Sequence, residues 1–274
     1  MNIQTITKTL IDAGIEPNEA KREIKMLLEH FCNYTELDKC KGVELTDEQL
    51  EILNKKVEKR ANTRLPIQYI IGEAYFMGEF FKVTPDVLIP RDETEILVTK
   101  AIELIKQNGF ENALDIGTGS GCIACTIAKK TKATVLGVDI SSDALRIALD
   151  NVTRLGINNR AVFRKSDLFS KVRDEEKFDM IISNPPYIPL GTILSDEVNY
   201  EPQIALFADE NGLRFYREIV AHAPEYLKPN GYLLFELGIG ESESVKEFME
   251  KDFTDIAVEK DLAGIDRIIY GRLK

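Results

Sequence analysis

The feature that most constrains the fold is an alternation of short apolar runs with helical patterns from Phe110 onward. The runs of strand length are ALDIG (113–117), ATVLGVDI (133–140), AVFRKS (161–166), FDMIIS (178–183) and GYLLFEL (231–237). Helical patterns, including 141–156 and 213–227, lie between them. Such alternation predicts a mostly parallel sheet with helices on both faces.

The chain ends with two further strand-like runs, IAVEKD (256–261) and RIIYGRL (267–273), joined by a few residues that include Gly264. A link this short cannot hold the crossover that parallel strands require, so we expect the two runs to pair antiparallel. The sequence therefore predicts an α/β fold with a seven-stranded, mostly parallel sheet.

The first part of the chain has a different pattern. Apolar residues recur at helical spacing after Pro17 and after the capping pair Thr46-Asp47. Short β-prone runs then follow, YII, EFFKV and DVLI, with glycine and proline between them. We predict a small helical domain over 1–65, a β-hairpin linker over 66–90 and the α/β domain over 91–274. The helical domain is either a surface that recognises a partner or a structural cap.

The chain has 274 residues, 35 basic and 46 acidic side chains, and a net charge of −11. This balance argues against nonspecific affinity for nucleic acid, which requires a basic face. No apolar run reaches the roughly 20 residues of a membrane helix. The N-terminal sequence MNIQTITKTLIDAG resembles neither a signal peptide nor a transit peptide, so we expect a cytoplasmic location and no membrane.

The four cysteines do not indicate a metal site. Cys122 and Cys125 are spaced as C-x-x-C, but they fall in a helical pattern after a glycine loop and are expected to pack as small apolar residues. Only His30 and His222 could supply imidazole ligands. We therefore predict no bound metal.

A glycine loop, Gly117-Thr118-Gly119-Ser120-Gly121, follows the first strand and precedes a helix. Glycines allow positive φ and close approach of a ligand, and the helix N-terminus offers N–H groups to an anion. Asp139 ends the second strand, where a carboxylate can accept hydrogen bonds from ribose hydroxyls. These features suit NAD or S-adenosylmethionine, although the G-x-G-x-G spacing departs from the dinucleotide fingerprint. Alternatively, the glycines only pack the helix against the strand.

Asp167 and Leu168 follow the third strand. A carboxylate there can accept the adenine amino group, while Leu168 or Phe169 covers the ring face. Ser-Asp after a strand is also a common helix cap, so both interpretations stay open.

The fourth strand ends at Asn184-Pro185-Pro186-Tyr187, because two prolines cannot continue a parallel strand. The carboxyl ends of strands face the ligand crevice in open α/β sheets, so Asn184 is well placed to touch a reacting group. The motif resembles the signature of methyltransferases that modify a planar nitrogen from S-adenosylmethionine. An ordinary turn is the alternative.

Nearly the whole chain resembles the HemK family of protein glutamine N5-methyltransferases. The resemblance rests on 65–72 (LPIQYIIG), 89–95 (IPRDETE), the glycine loop, Asp139, Asn184-Pro185-Pro186-Tyr187, Glu201-Pro202, Ala205-Leu206, Gly212 and 235–238 (FELG). Asp92 stands where the family usually has proline. The resemblance implies a Rossmann-like S-adenosylmethionine-dependent methyltransferase domain and methylation of the glutamine in the Gly-Gly-Gln motif of class I peptide chain release factors.

The motifs give a set of candidate site residues. Cofactor contacts are expected from Gly117, Thr118, Gly119, Ser120, Gly121, Asp139, Asp167, Leu168 and Asn184; substrate contacts from Asn184, Pro185, Pro186 and Tyr187; and catalytic roles for Asn184, Pro185 and Tyr187. Glutamine methylation of a ribosomal protein and adenine N6 methylation of nucleic acid with a flipped base are the alternative activities. A cofactor-binding module without enzymatic activity is a third reading, but it leaves Asn184 unexplained.

Overall fold

The computed structural model describes residues 3–274, so Met1 and Asn2 of the predicted helical domain lie outside the described residues. The chain divides into two compact units. The helical unit runs to Gly72 and includes a distant segment, Leu194–Tyr200. The sheet unit consists of Glu73–Ile193 and Glu201–Lys274, so the hairpin predicted as a linker belongs to it.

The helices are α1 (Ile3–Asp12), α2 (Pro17–Cys32), α3 (Glu36–Cys40), α4 (Asp47–Thr63), α5 (Ile67–Ile71), α6 (Thr94–Asn108), α7 (Cys122–Lys130), α8 (Ser142–Leu155), α9 (Arg214–Tyr226) and α10 (Ser242–Met249). The strands are β1 (Glu73–Phe76), β2 (Glu79–Lys82), β3 (Asn112–Ile116), β4 (Thr134–Asp139), β5 (Ala161–Lys165), β6 (Phe178–Ser183), β7 (Ile188–Pro189), β8 (Phe207–Ala208), β9 (Leu227–Glu236), β10 (Phe253–Lys260) and β11 (Asp266–Leu273).

The helical unit forms around the apolar stripes that its sequence predicts. Pro17 begins α2, and the Thr46 and Gln49 side chains form a reciprocal capping box at the start of α4. The apolar side chains of α1, α2, α4 and α5 share one core. Tertiary packing of these stripes, rather than the propensity of any one helix, stabilises the unit.

An ion pair is buried inside this helical core. Arg60 of α4 is 1% exposed and donates from Nε and Nη2 to Glu23 of α2, which is 3% exposed, over 2.9–3.1 Å. A second carboxylate, Glu197 of the distant segment, lies 3.3 Å from Arg60 Nη1 and also contacts Arg64. These charges hold residues 194–200 on the helices.

The prediction of a strand at YII is wrong, because these residues lie in α5. Ile67 and Ile70 have helical spacing and both reach the helical core, and Gly72, with φ of 89°, ends the helix. The DVLI run (86–89) is not a strand either. Its Ile89 N–H donates to the Glu201 carboxylate instead of a neighbouring strand. Only EFFKV forms a strand, paired antiparallel with β1.

The main sheet has seven strands in the order β10-β11-β9-β6-β3-β4-β5. Strands β9, β6, β3, β4 and β5 pair in parallel, and β11 pairs antiparallel with both β9 and β10. This confirms the predicted mostly parallel, seven-stranded sheet. Successive residues of β3, such as Ala113 and Leu114, point into separate apolar cores on the two faces.

The strand order reverses direction at β3. The chain moves from β3 to β4 and β5 on one side, and then returns to place β6 on the other side. In such sheets ligands bind in the crevice at the carboxyl ends of the strands beside this reversal. The glycine loop follows β3 and Asn184 follows β6, so both lie at this point.

Candidate active site

The carboxyl edge of the sheet brings together the segments that the sequence predicts. Ile116 and Ser183, the last residues of β3 and β6, are register partners, and the Ser183 hydroxyl donates to the Ile116 carbonyl at 2.7 Å. Asp139 ends β4 and is paired in register with Lys165 at the end of β5. The ends of four adjacent strands therefore form one edge.

The glycine loop adopts the conformations that its composition predicts. Gly117, Gly119 and Gly121 all have positive φ, between 55° and 78°. A Cβ on Gly121 would lie only 3.0–3.1 Å from atoms of Phe163 and Ala148, so this glycine also lets the loop pack against its neighbours. Gly121 thus lets the loop pack against β5 and α8, whereas a Cβ on Gly117 would meet no atom within 4 Å.

Asp139, at the end of β4, links the glycine loop to this strand. Its Oδ2 accepts the Gly119 N–H at 2.9 Å, and its Oδ1 accepts the Ser141 N–H at 2.8 Å. Burial raises the pKa of this carboxyl group, and the backbone N–H donors oppose that rise. Each carboxylate oxygen keeps a further lone pair for a hydroxyl donor. Its role toward a ribose stays a prediction.

The Asp167 region offers one side chain fewer than its sequence suggests. Phe169 is buried and stacks on Tyr226, with ring centroids 4.7 Å apart, so it is committed to the core. Leu168 is half-buried and has a φ of 43°, which is rare for a branched side chain. Asp167 is exposed beside it. Of the two candidates for covering a ring, Leu168 alone remains available.

Asn184 is held by one end of its side-chain amide. Its Nδ2 donates to Thr94 Oγ1 at 3.2 Å, and Thr94 Oγ1 donates to Glu236 Oε2 at 2.6 Å. Within residues 3–274 no group donates to Asn184 Oδ1 or to the Pro185 carbonyl oxygen. The site thus presents two acceptors close together in the chain.

Tyr187 packs its ring against the apolar core on one face of the sheet, and its hydroxyl lies 3.5 Å from Glu236 Oε1. Burial raises the pKa of its phenol well above the usual value. Gly212 lies against it, since a Cβ there would come within 2.3 Å of the Tyr187 carbonyl oxygen. That contact explains why glycine stands at 212.

A salt bridge joins the segment 89–95 to the Glu201-Pro202 motif. Arg91 contacts the Glu201 carboxylate, and Glu201 is buried and also accepts the Ile89 N–H at 3.1 Å. Ile89 and Arg91, which precede α6, are thereby fixed to Glu201.

Three residues of this edge had no role assigned from sequence: Thr94, Asp115 and Glu236. Asp115 is fully buried, accepts from the Thr118 hydroxyl at 2.6 Å, and has no hydrogen-bond partner for Oδ1 among the described residues. Burial raises the pKa of Asp115 to about 7. The available signal was an acidic residue inside an apolar strand, which occurs in ALDIG and in GYLLFEL.

The cysteines pack as expected. Cys122 and Cys125 are buried in α7 within the apolar core, and burial raises the pKa of the Cys122 thiol to about 12. In the described part of the chain no cluster of three or more histidine, cysteine or acidic side chains could hold a metal ion. Likewise, none of the helices described is both long and apolar enough to span a membrane.

Comparison with known proteins identifies the chain as an S-adenosylmethionine-dependent methyltransferase. Residues 93–193 match the methyltransferase small domain and residues 3–72 match the PrmC N-terminal domain. A solved structure of the T. thermophilus 16S rRNA N2 G1207 methyltransferase RsmC, in complex with AdoMet and guanosine, shares the fold with a TM-score of 0.55 and 19% identity. That similarity covers 74% of this chain and 50% of the RsmC chain.

Curated relatives specify the family. A release factor glutamine methyltransferase of Geobacter sulfurreducens is 44% identical over 84% of this chain and 80% of its own length. Another, of Thermodesulfovibrio yellowstonii, is 38% identical over 92% of this chain and 93% of its own. The chain belongs to the family of release factor glutamine methyltransferases.

Proposed function

We propose that this protein transfers a methyl group from S-adenosylmethionine to the side-chain nitrogen of the glutamine in the Gly-Gly-Gln motif of class I peptide chain release factors. The observation that carries the proposal is the pair of acceptors, Asn184 Oδ1 and the Pro185 carbonyl, beside the strand-order reversal. A primary amide carries two hydrogens on one nitrogen, and this pair matches them.

The residues of the edge fit the cofactor. S-adenosylmethionine supplies, when bound, an electrophilic methyl group on a sulfonium. The loop from Gly117 through Thr118, Gly119 and Ser120 to Gly121 would hold its amino-acid part, Asp139 would accept hydrogen bonds from the ribose hydroxyls, and Asp167 and Leu168 would contact the adenine. The negative charge of Asp115, whose Oδ1 has no partner in the described chain, favours the ammonium group of the cofactor.

The chain's own contribution to the reaction is alignment. An amide nitrogen is a poor nucleophile because its lone pair is delocalised into the carbonyl group. Asn184 Oδ1 and the Pro185 carbonyl accept the two amide hydrogens, orient the nitrogen and stabilise the positive charge that develops on it. Such pre-arranged geometry contributes roughly 7–11 kcal/mol toward a barrier. The nitrogen then releases a proton to water.

The other two residues of the motif support this arrangement. Pro185 and Pro186 lock φ on both sides of the acceptor carbonyl. Tyr187 borders the substrate amide and helps to exclude water. Asn184 would contact both the substrate and the cofactor.

The helical unit is proposed to recognise the protein substrate. It contains a groove of about 1190 Å³ whose lining includes five basic side chains and two acidic ones. These are Lys8, Lys21, Arg22, Lys25, Lys39, Glu36 and Glu44. This lining is net positive although the chain has a net charge of −11, and it suits an acidic patch on the substrate protein.

A direct assay separates this function from its rivals. The protein is incubated with radiolabelled S-adenosylmethionine and, in parallel, with a release factor, a ribosomal protein, duplex DNA and RNA. Label on the Gly-Gly-Gln glutamine, located by mass spectrometry, supports the proposal, and label on nucleic acid alone would overturn it. The acidic chain favours a protein substrate without direct nucleic-acid binding, and a release factor substrate implies a cytoplasmic location.

A further inference from the structure

We infer that Thr94 and Glu236 are positioning residues that determine which end of the Asn184 side-chain amide faces the substrate. The inference rests on the proposed function, in which Asn184 Oδ1 accepts a hydrogen from the substrate glutamine. Thr94 begins α6 and Glu236 ends β9, and the three side chains form one hydrogen-bonded chain.

The need for such a device follows from the shape of asparagine. The oxygen and the NH2 group of its amide have similar size, so packing alone does not choose between the two orientations. Only hydrogen-bond partners distinguish them. In the flipped orientation Asn184 would present donors to a substrate amide that itself has donors to offer, and the acceptor pair would be lost.

The direction of the hydrogen bonds determines which orientation the Asn184 amide adopts. An ionised carboxylate can only accept, so the single hydrogen of the Thr94 hydroxyl points to Glu236 Oε2. The Thr94 oxygen is then left as an acceptor toward Asn184. Only the Nδ2 end of Asn184 can satisfy it, and Oδ1 is thereby directed away from Thr94.

The hydrogen-bonded chain of Asn184, Thr94 and Glu236 is shielded from water. Thr94 and Glu236 are 3% and 2% exposed, so water does not compete for their hydrogen bonds. Tyr187 places its hydroxyl 3.5 Å from the other carboxylate oxygen. No guanidinium or ammonium group makes a salt bridge to Glu236 in the described chain, although a buried carboxylate is costly without one. That cost indicates a role beyond packing.

The protonation state of Glu236 should control the orientation. Burial raises the pKa of Glu236 to about 7, the nearby Glu93 acts in the same direction, and Thr94, Tyr187 and Arg267 oppose it. Once protonated, Glu236 can donate to Thr94, and the Thr94 hydrogen becomes free to point at Asn184 Oδ1. We therefore expect kcat to fall as the pH drops below about 7.

The test compares three variants of the full-length protein with a Gly-Gly-Gln peptide at saturating cofactor. Thr94→Val keeps the shape and removes the hydroxyl, and kcat should fall about tenfold, the order expected for one lost hydrogen bond. Thr94→Ser should restore most of that loss. Glu236→Gln should lower kcat about threefold and abolish its decline below pH 7.

A double variant shows whether the effect passes through Asn184. In an Asn184→Ala background, Thr94→Val should cause no further loss of kcat, because no amide remains to be oriented. Additive losses, or a Glu236→Gln profile that keeps the wild-type acid limb, would overturn the inference. Absence of peptide or release factor methylation by the wild-type protein would instead reject the proposed function. Circular dichroism confirms that each variant is folded.

Discussion

Glu23 of the helical unit and Glu236 of the sheet unit are both buried, but these two glutamates have different partners. In the helical unit, Glu23 meets the Arg60 guanidinium through three hydrogen bonds, and Glu197 adds a second carboxylate. In the sheet unit, the Glu236 carboxylate is hydrogen-bonded, among residues 3–274, only by the hydroxyls of Thr94 and Tyr187. Burial raises the pKa of both carboxyl groups.

The difference separates a structural role from a functional one. A carboxylate that is hydrogen-bonded to a guanidinium remains charged and acts as a clamp, and removing its partner is strongly destabilising. A carboxylate that has only hydroxyl partners can change its protonation state near neutral pH, and its neighbours respond by reversing hydrogen bonds. Glu23 thus has a structural role, whereas Glu236 lies where chemistry is proposed.

The largest expected effect tests the buried ion pair between Arg60 and Glu23. Arg60→Ala leaves Glu23 buried without its partner, so the free energy of unfolding should fall by about 3–5 kcal/mol. Urea titration measures the loss, and Lys59→Ala, on the exposed side of the same helix, is the matched control. A loss below about 1 kcal/mol would mean that the ion pair is not a clamp.

The next effect tests the chemistry of the sheet unit. Asn184→Ala removes one of the two proposed acceptors, and kcat should fall on the order of 10²- to 10³-fold, while the free energy of unfolding changes little. Calorimetry should find cofactor affinity near that of the wild type, because the glycine loop and Asp139 are proposed to supply most of the cofactor contacts. A variant that keeps a tenth or more of wild-type kcat would contradict the proposed role of Asn184 as one of the two acceptors.

Asp139→Ala should act on cofactor binding instead. Hydrogen bonds to a charged acceptor contribute roughly 1.5–3 kcal/mol, so the dissociation constant for S-adenosylmethionine should rise on the order of 10- to 100-fold. Asp143→Ala removes a carboxylate of the same charge from the exposed start of α8 and serves as the control. Equal affinities in the two folded variants would exclude Asp139 from the site.

The smallest effect concerns the surface of the helical unit. The double change Arg22→Glu and Lys25→Glu should raise KM for an intact release factor about three- to tenfold, because exposed charge pairs are individually weak. KM for a short Gly-Gly-Gln peptide should stay unchanged. The double change Lys59→Glu and Lys106→Glu reverses two exposed charges outside the groove lining and controls for the same change in net charge. If peptide and intact factor respond alike, the groove does not recognise the substrate.

The sequence predicted the sheet because its signals are local. The lengths of the apolar runs, the glycine loop and the double proline each act within a few residues, and together they specify strand ends. The YII error has a different origin. Three residues cannot distinguish a strand from a helical turn, and the core of the helical unit made the choice through Ile67 and Ile70.

The candidate site was predicted in part, and the missing part is non-local. Thr94 and Glu236 lie 142 positions apart, and no pattern in the chain indicates that their side chains meet. The same holds for Arg91 with Glu201. Sequence reasoning located the groups proposed to touch ligands, whereas the residues that hold those groups emerge only from tertiary packing.

The segment Leu194–Tyr200 makes the helical unit an interleaved part of the chain rather than an appended one. The polypeptide leaves the sheet unit shortly after Asn184, contributes Glu197 to Arg60 and returns at Glu201. A cut after Gly72 would therefore remove the helices but leave behind a stretch that has lost its binding partners. Replacing the helical unit by that of another protein would require exchanging both the residues up to Gly72 and the segment Leu194–Tyr200. The two units are therefore expected to be inherited and engineered together.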